Sequence, residues 1–350
     1  MVSGTGETTL RTGLPARRGV TRPLVRAGAF VVFGVLLGAW IIHFGVPSDT
    51  VQIFLWLWVA TICWNVEENW RYHLNFLRDW WVPVAALVVY FYSRGLADEL
   101  LKLPVHFRMP IHVDEWMFGE LPSYWLQEHL CGSPCNPDSA PSWFDLVFAV
   151  VYTSHFVTGL ILAMVLWLRN RGEWKKWMRR YVGANLVALV IYIVYPMAPP
   201  WMASEDGYLE HPVFRITHRG WDAVGLGRFH LVLTGVGNPV AAMPSLHFGI
   251  SFLIAIYAIL RLRSGLRWLL LAYPATMGVG LVYFGEHYVI DLICGGLLAA
   301  FVLVVCAWWE RSRDTPDRHH QAALSSADDA IASESVSAAS PGERRSVDPA

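Results

Sequence analysis

The sequence predicts an all-α fold, a polytopic membrane helix bundle of about eight transmembrane helices. Three observations predict it. Of 350 residues, 55% are apolar and only 16% charged, where an ordinary soluble domain carries roughly 25% charged residues. This balance excludes a disordered chain, a basic nucleic-acid binder and most soluble enzymes. Eighteen Trp and thirteen Tyr suit a chain that repeatedly crosses membrane interfaces, because amphipathic rings settle at headgroup depth. The Lys and Arg residues, finally, fall unevenly between alternate connections. The net charge of −1 says little beside that distribution, since charge in a membrane protein matters by location.

A spanning helix needs about 20 mainly apolar residues, because backbone polar groups in hydrocarbon must find their partners within the segment. Residues 27–46, 51–66, 81–96, 146–168, 181–196, 244–260, 268–284 and 288–309 qualify or nearly so. With the N-terminus inside, the inner connections hold eighteen Lys and Arg and the outer ones five. Cytoplasmic loops are the basic ones, so both termini are expected in the cytoplasm. The alternative for the N-terminus is a cleaved signal peptide, but its apolar run is too long and no small-x-small site follows. Residues 1–26 read as a basic cytoplasmic segment. Residues 310–350, rich in Ser, Ala, Asp, Pro and Gly, read as a disordered cytoplasmic tail. Arg outnumbers Lys 24 to 3, which suggests a GC-rich bacterial genome and hence a plasma membrane.

Two long outer loops, about 97–145 and 197–243, remain. The first contains Cys131 and Cys135 in CGSPCNP. On the oxidising side a disulfide fits better than a metal site, for which no further Cys lies nearby. Cys63, Cys294 and Cys306 fall within spans and read as small apolar packing residues. Trp167 to Trp177, with Lys and Arg interleaved, reads as an interfacial anchor on anionic lipid.

Ionisable groups at membrane depth are costly and point to function. Three of the thirteen His qualify: His155 in the fourth span, His247 at the start of the sixth, and His287 in the turn before the eighth. His287 and Asp291 are spaced i, i+4, so one helix face carries both. A carboxylate there fixes the imidazole tautomer and leaves the other nitrogen free as a nucleophile. A second His-x3-Asp pair, His218 with Asp222, lies in a polar loop, whereas Asp291 sits in an apolar span where an unpaired carboxylate is expensive. The alternating topology puts His247, His287 and the segment Tyr195 to Trp201 on one side of the membrane. Two His, one with a carboxylate partner, suit phosphoryl transfer: one imidazole attacks phosphorus and the other protonates the departing oxygen. Zinc ligation is the rival reading of two His and an Asp.

The chain resembles the type 2 phosphatidic acid phosphatase superfamily, and within it the inositol phosphorylceramide synthase (aureobasidin-resistance protein) branch. That family carries K-x6-R-P, P-S-G-H and S-R-x5-H-x3-D. Pro244-Ser245-Leu246-His247 is similar to the second, with Leu for Gly, and His287 with Asp291 matches the end of the third. The resemblance covers about residues 81–309, a six-helix lipid phosphatase/phosphotransferase core, leaving 27–80 as two extra helices. It implies His287 as nucleophile, Asp291 as its orienting partner and His247 as general acid. The stretch Tyr195, Pro196, Met197, Ala198, Pro199, Pro200, Trp201 is similar to the inositol-lipid branch, and Tyr195, Pro199 and Trp201 are expected at the substrate; read bare, it simply stops a helix at the interface. Leu281 stands where the third motif has Arg, and no register of the proline-rich segment supplies the Lys and Arg of the first. Phosphate charge must still be neutralised. Arg215, Arg219 or Arg228 from the outer loop is expected to serve, with backbone N–H groups near Ser245. His155 is a candidate pocket residue, or a packing hydrogen bond between helices. Glu286 reads as an exposed turn residue.

The expected function is therefore an integral-membrane lipid phosphotransferase acting through a phosphohistidine and moving an inositol-phosphate-type head group. The alternative is a phosphatase of phosphatidic acid or polyprenyl diphosphate, with water as acceptor. A proton-coupled transporter is the alternative from another class, although no internal repeat of the kind transporters carry is visible. The expected partners are the lipid bilayer and a phospholipid or isoprenoid phosphate, with no nucleic acid, cofactor or metal.

Overall fold

A computed structural model of the chain describes residues 23–44, 47, 50–101, 103–224 and 238–338, with backbone alone for 94–101 and 314–338. The apolar runs form long helices. They are α1 (Pro23–Phe44), α2 (Thr50–Trp64), α3 (Trp70–Leu101), α6 (Trp143–Arg169), α7 (Arg171–Val194), α10 (Leu246–Ile259), α11 (Ala272–Tyr283) and α12 (Val289–Ala338). Short helices α4 (Arg108–Phe118) and α5 (Pro122–Leu130) fill the first outer loop, and α8 (Pro200–Glu205) and α9 (Arg219–Asp222) the second. By length and composition α1, α6, α7, α12 and Gly265–Tyr283, a 3-10 turn running into α11, are each able to cross a membrane. The apolar helices α2 and α10 are shorter, and α3, at 32 residues, carries the ion-pairing Asp79 within its length.

Some boundaries differ from those the sequence suggests. The fifth span begins ten residues earlier, at Arg171, because Asn170 caps it by accepting from Gly172 and Glu173 N–H. The helical backbone of α12 continues through Ala338, past residue 310, where the apolar pattern ends.

α1 buries no residue and presents Leu24, Val31, Val35, Leu36 and Ile42 outward, as a lipid-facing helix does. The core begins at α2 and α3. Phe76 and Trp80 of α3 pack with Trp167 of α6 and Trp174 of α7 in one aromatic cluster at the end of the bundle remote from the outer loops. Asp79 beside it takes Arg171 and the Trp167 indole N–H. Glu310 of α12 binds both Arg179 and Arg180, and Glu173 binds Lys176 and Arg261. These pairs lock α7 to α12 and α10 at that end.

At the opposite end the decisive contact is between α10 and α12, the most extensively packed pair. A Cβ on Gly295 would lie 2.3 Å from the Ser245 carbonyl oxygen, and one on Gly249 would lie 2.9 Å from the Gly295 carbonyl oxygen. Only glycine admits backbones this close. The approach allows the Ser245 N–H to reach the Asp291 carbonyl at 3.0 Å. Gly295→Val should force the helices apart, costing on the order of 1–3 kcal/mol; thermal unfolding in detergent should show a lower midpoint, with Gly296→Val, whose nearest contact is a side chain at 3.4 Å, affected less.

Candidate active site

Three chain segments converge at the outer-loop end of the bundle. Residues 197, 106 and 241 are joined as parallel β-bridges, so the proline-rich segment after α7 is held between the loop before α4 and the loop before α10. Residues 213–216 run beside 283–287: Ile216 N–H donates to Phe284 O at 3.4 Å and Trp201 N–H to Gly285 O at 3.1 Å. Gly285 adopts φ +71°, and a Cβ there would stand 2.7 Å from Phe214 O, so this turn requires glycine. The turn delivers Glu286 and His287 to the head of α12.

His287 is 6% exposed and Asp291 fully buried. The ring Nδ1 lies 3.3 Å from Asp291 Oδ2, which also accepts the Tyr288 N–H at 2.9 Å. Asp291 Oδ1 has no hydrogen-bond partner among the described residues. The carboxylate is thus positioned to hold Nδ1–H and orient Nε2 outward. Asp114 of α4, itself fully buried, accepts from Val289 and Ile290 N–H at 2.7 and 3.0 Å. It caps α12 from a helix 175 residues away in sequence. Burial pushes the Asp114 carboxyl above its ordinary value, and the two N–H groups pull against that shift.

His247 follows the N-cap of α10, where Ser245 Oγ accepts from Phe248 N–H. Its ring centroid stands 5.9 Å from that of His287. Tyr152 stacks on it at 4.7 Å, and His155, one turn along α6, lies at 4.3 Å. The two His and Tyr152 line a cavity of about 220 Å³ together with His155, Phe156, Tyr90, Tyr192, Pro199, Trp201, Asn238, Arg215 and Glu286.

Of the expected outer-loop cations within the described residues, Arg215 reaches the cavity. Its Nε donates to Glu286 Oε1 at 2.7 Å, and its guanidinium sits over the Trp201 ring at 5.0 Å. Burial works against the charge, but Glu286 outweighs it and holds the Arg215 pKa above its ordinary value. Glu286 is not the exposed turn residue expected: its side chain is 12% exposed and faces inward. Sequence spacing gave no sign of this pair, because its members are 71 residues apart.

Other expected substrate contacts stand elsewhere. Arg219 is 2% exposed and lines no described cavity. Its guanidinium binds the Asn136, Pro137, Ser139 and Ala140 carbonyls and the fully buried Asp145 carboxylate, which also accepts from Tyr283 Oη. Every donor is engaged in closing the outer loop on α6. Tyr195 stacks on His106 at 3.9 Å instead of entering the cavity, and Ser245 is fully buried as a helix cap. Arg228 lies outside the described residues. Leu281 is buried in the second apolar core and does not line the cavity. Cys131 and Cys135 form a disulfide at the end of α5. Among the described residues no group of three or more His, Cys, Asp or Glu could hold a metal ion.

Residues 138–305 match the PAP2 superfamily model. The chain is 25% identical over 180 residues to phosphoinositol dihydroceramide synthase of Bacteroides thetaiotaomicron, covering 47% of this chain and 56% of that protein. It is 24% identical over 237 residues to the inositol phosphorylceramide synthase catalytic subunit aur1 of Schizosaccharomyces pombe, covering 65% of this chain and 52% of that protein. The chain spans about half the length of these relatives. No solved structure matches it significantly. The matched segment holds all three cavity histidines, Arg215, Glu286 and the Arg219 clamp.

The two arginines should separate experimentally. Arg219→Ala leaves the Asp145 carboxylate buried without its charge partner, at a cost of about 3–5 kcal/mol. The thermal midpoint should fall markedly in that variant and far less in Arg215→Ala, whose side chain is 29% exposed.

Proposed function

We propose that this protein is a PAP2-superfamily integral-membrane lipid phosphotransferase that works through a phosphohistidine at His287. The observation that carries the proposal is the facing pair of imidazoles, 5.9 Å apart across one cavity, with a buried carboxylate behind one of them. A phosphoryl group between the rings would meet Nε2 of His287 on one side and His247 on the other. In the first step the His287 Nε2 lone pair forms a bond to phosphorus as the phosphorus–oxygen bond to the donor breaks. His247 gives its proton to the departing alkoxide. Asp291 holds Nδ1–H and stabilises the cationic ring. In the second step the acceptor hydroxyl gives its proton to the now neutral His247 and attacks phosphorus, and the phosphorus–nitrogen bond breaks.

Arg215 is assigned the charge on the phosphoryl oxygens, in competition with Glu286. Tyr152 and His155 frame His247 and limit its ring to one orientation. The head group is proposed to be an inositol phosphate, because the two relatives are named for making phosphoinositol dihydroceramide and inositol phosphorylceramide. The acceptor is accordingly a lipid alcohol. The excess of Lys and Arg in alternate connections supports termini in the cytoplasm and a cavity that opens on the extracytoplasmic face, and the Arg-to-Lys ratio of 24 to 3 favours a bacterial plasma membrane.

The test is turnover of a phosphate-labelled inositol phospholipid by the purified full chain in detergent, with and without a ceramide-type lipid alcohol. Label should move to the alcohol, and water-soluble label should dominate only when the alcohol is withheld. His287→Ala and His247→Ala should each lower turnover by about 10²-fold or more. Wild-type turnover in both variants would contradict the assignment, and release to water unaffected by any alcohol would make the protein a hydrolase.

A further inference from the structure

Both segments that deliver charge to the cavity are tied to one side chain that does not touch it. Gln127 of α5 is 1% exposed. Its Nε2 donates to Phe214 O at 2.7 Å and to Tyr283 O at 2.9 Å, and its Oε1 accepts from Phe214 N–H at 2.9 Å. One primary amide thus grips both backbone groups of the residue before Arg215 and the carbonyl three residues before Glu286. The carbonyl of Gln127 is engaged as well, accepting from Cys131 and Gly132 N–H at 2.8 and 3.2 Å, within the turn that the Cys131–Cys135 disulfide closes.

We infer that Gln127 is a positioning residue that sets the register between Arg215 and the Glu286–His287 turn, and so places the phosphate-binding guanidinium opposite the nucleophile. The inference rests on the proposed function for what Arg215 binds, but not for the geometry. The amide is suited to the task because it offers two donors and an acceptor in one plane. No other uncharged side chain of that length does so. A carboxylate keeps only acceptors and would face two carbonyl oxygens. Besides the Arg215–Glu286 ion pair itself, the backbone ties between the two segments are weak: Ile216 N–H to Phe284 O at 3.4 Å is long, and Gly285 leaves the Phe214 carbonyl in close contact without a hydrogen bond to it. An unmade bond at a buried carbonyl is costly, so loss of the amide should let residues 213–216 shift along the turn. Arg215 and Glu286 would then part, while Arg219, held by five groups of its own, would stay.

The test uses Gln127→Glu and Gln127→Leu in the full-length protein. The arginine reagent phenylglyoxal is applied and modification at each Arg is followed by peptide mass spectrometry, with inorganic phosphate as the protecting probe. In wild type Arg215 should react slowly and be protected by phosphate. In both variants it should react at least about five-fold faster and lose protection, with Arg219 as slow as in wild type. Turnover of the labelled lipid should show KM raised at least about ten-fold. In an Arg215→Ala background Gln127→Glu should add less than about two-fold, because residues acting through one group are not additive. Unchanged Arg215 reactivity and protection would overturn the inference. So would a parallel rise at Arg219 in both variants, which would mean general loosening. If wild type turns over no phosphate lipid at all, the proposed function fails, and the labelling rates still decide whether Gln127 places Arg215.

Discussion

The whole site depends on how closely two helix backbones approach. Gly249 and Gly295 let α10 and α12 meet without intervening side chains, so the Ser245 N–H reaches the Asp291 carbonyl. That bond joins the residue two before His247 to the residue four after His287. With both helix heads fixed, the imidazoles cannot drift independently. In a membrane, lipid tails are as apolar as the side chains they replace, so helices hold together by packing and hydrogen bonds rather than by escape from water. Close glycine packing therefore helps to fix the two imidazoles at bundle depth.

Around this crossing the outer loops act as a frame with a division of labour among buried polar groups. Asp114 caps α12, Gln127 ties the 213–216 segment to the turn before α12, and Arg219 with Asp145 and Tyr283 closes the loop on α6. Each group is buried and each is satisfied by several partners. Burying such groups is expensive unless every bond is made, so their presence points to a frame that stays rigid. Arg215, by contrast, lies at the cavity, paired with the Glu286 carboxylate and over the Trp201 ring.

The helices and the gathering of His247, His287 and the proline-rich segment at one end were legible in the sequence. Both depend on apolar runs and on helix spacing, which are local. The His287–Asp291 contact was legible for the same reason, since i, i+4 places both on one face. What was not legible came from distant pairs. Arg219 and Arg215 are four residues apart in similar loop sequence, yet one is consumed by carbonyls of residues 136–140 and the other enters the cavity. Tyr195 was drawn away by His106. Gln127 and Asp114 carried no periodic signal at all. A polar residue within an outer-loop helix reads as solvated until the tertiary fold buries it.

The central claim is that His287 carries the phosphoryl group. It is tested most directly by mixing the wild-type protein with phosphate-labelled lipid in the absence of an acceptor alcohol, quenching in alkaline denaturant during turnover, and mapping the label by mass spectrometry. A phosphoramidate on His287, stable to alkali and lost in acid, and absent from His287→Ala, is the predicted result. Turnover with no protein-bound label, or a label on Asp291 or another residue, would contradict it.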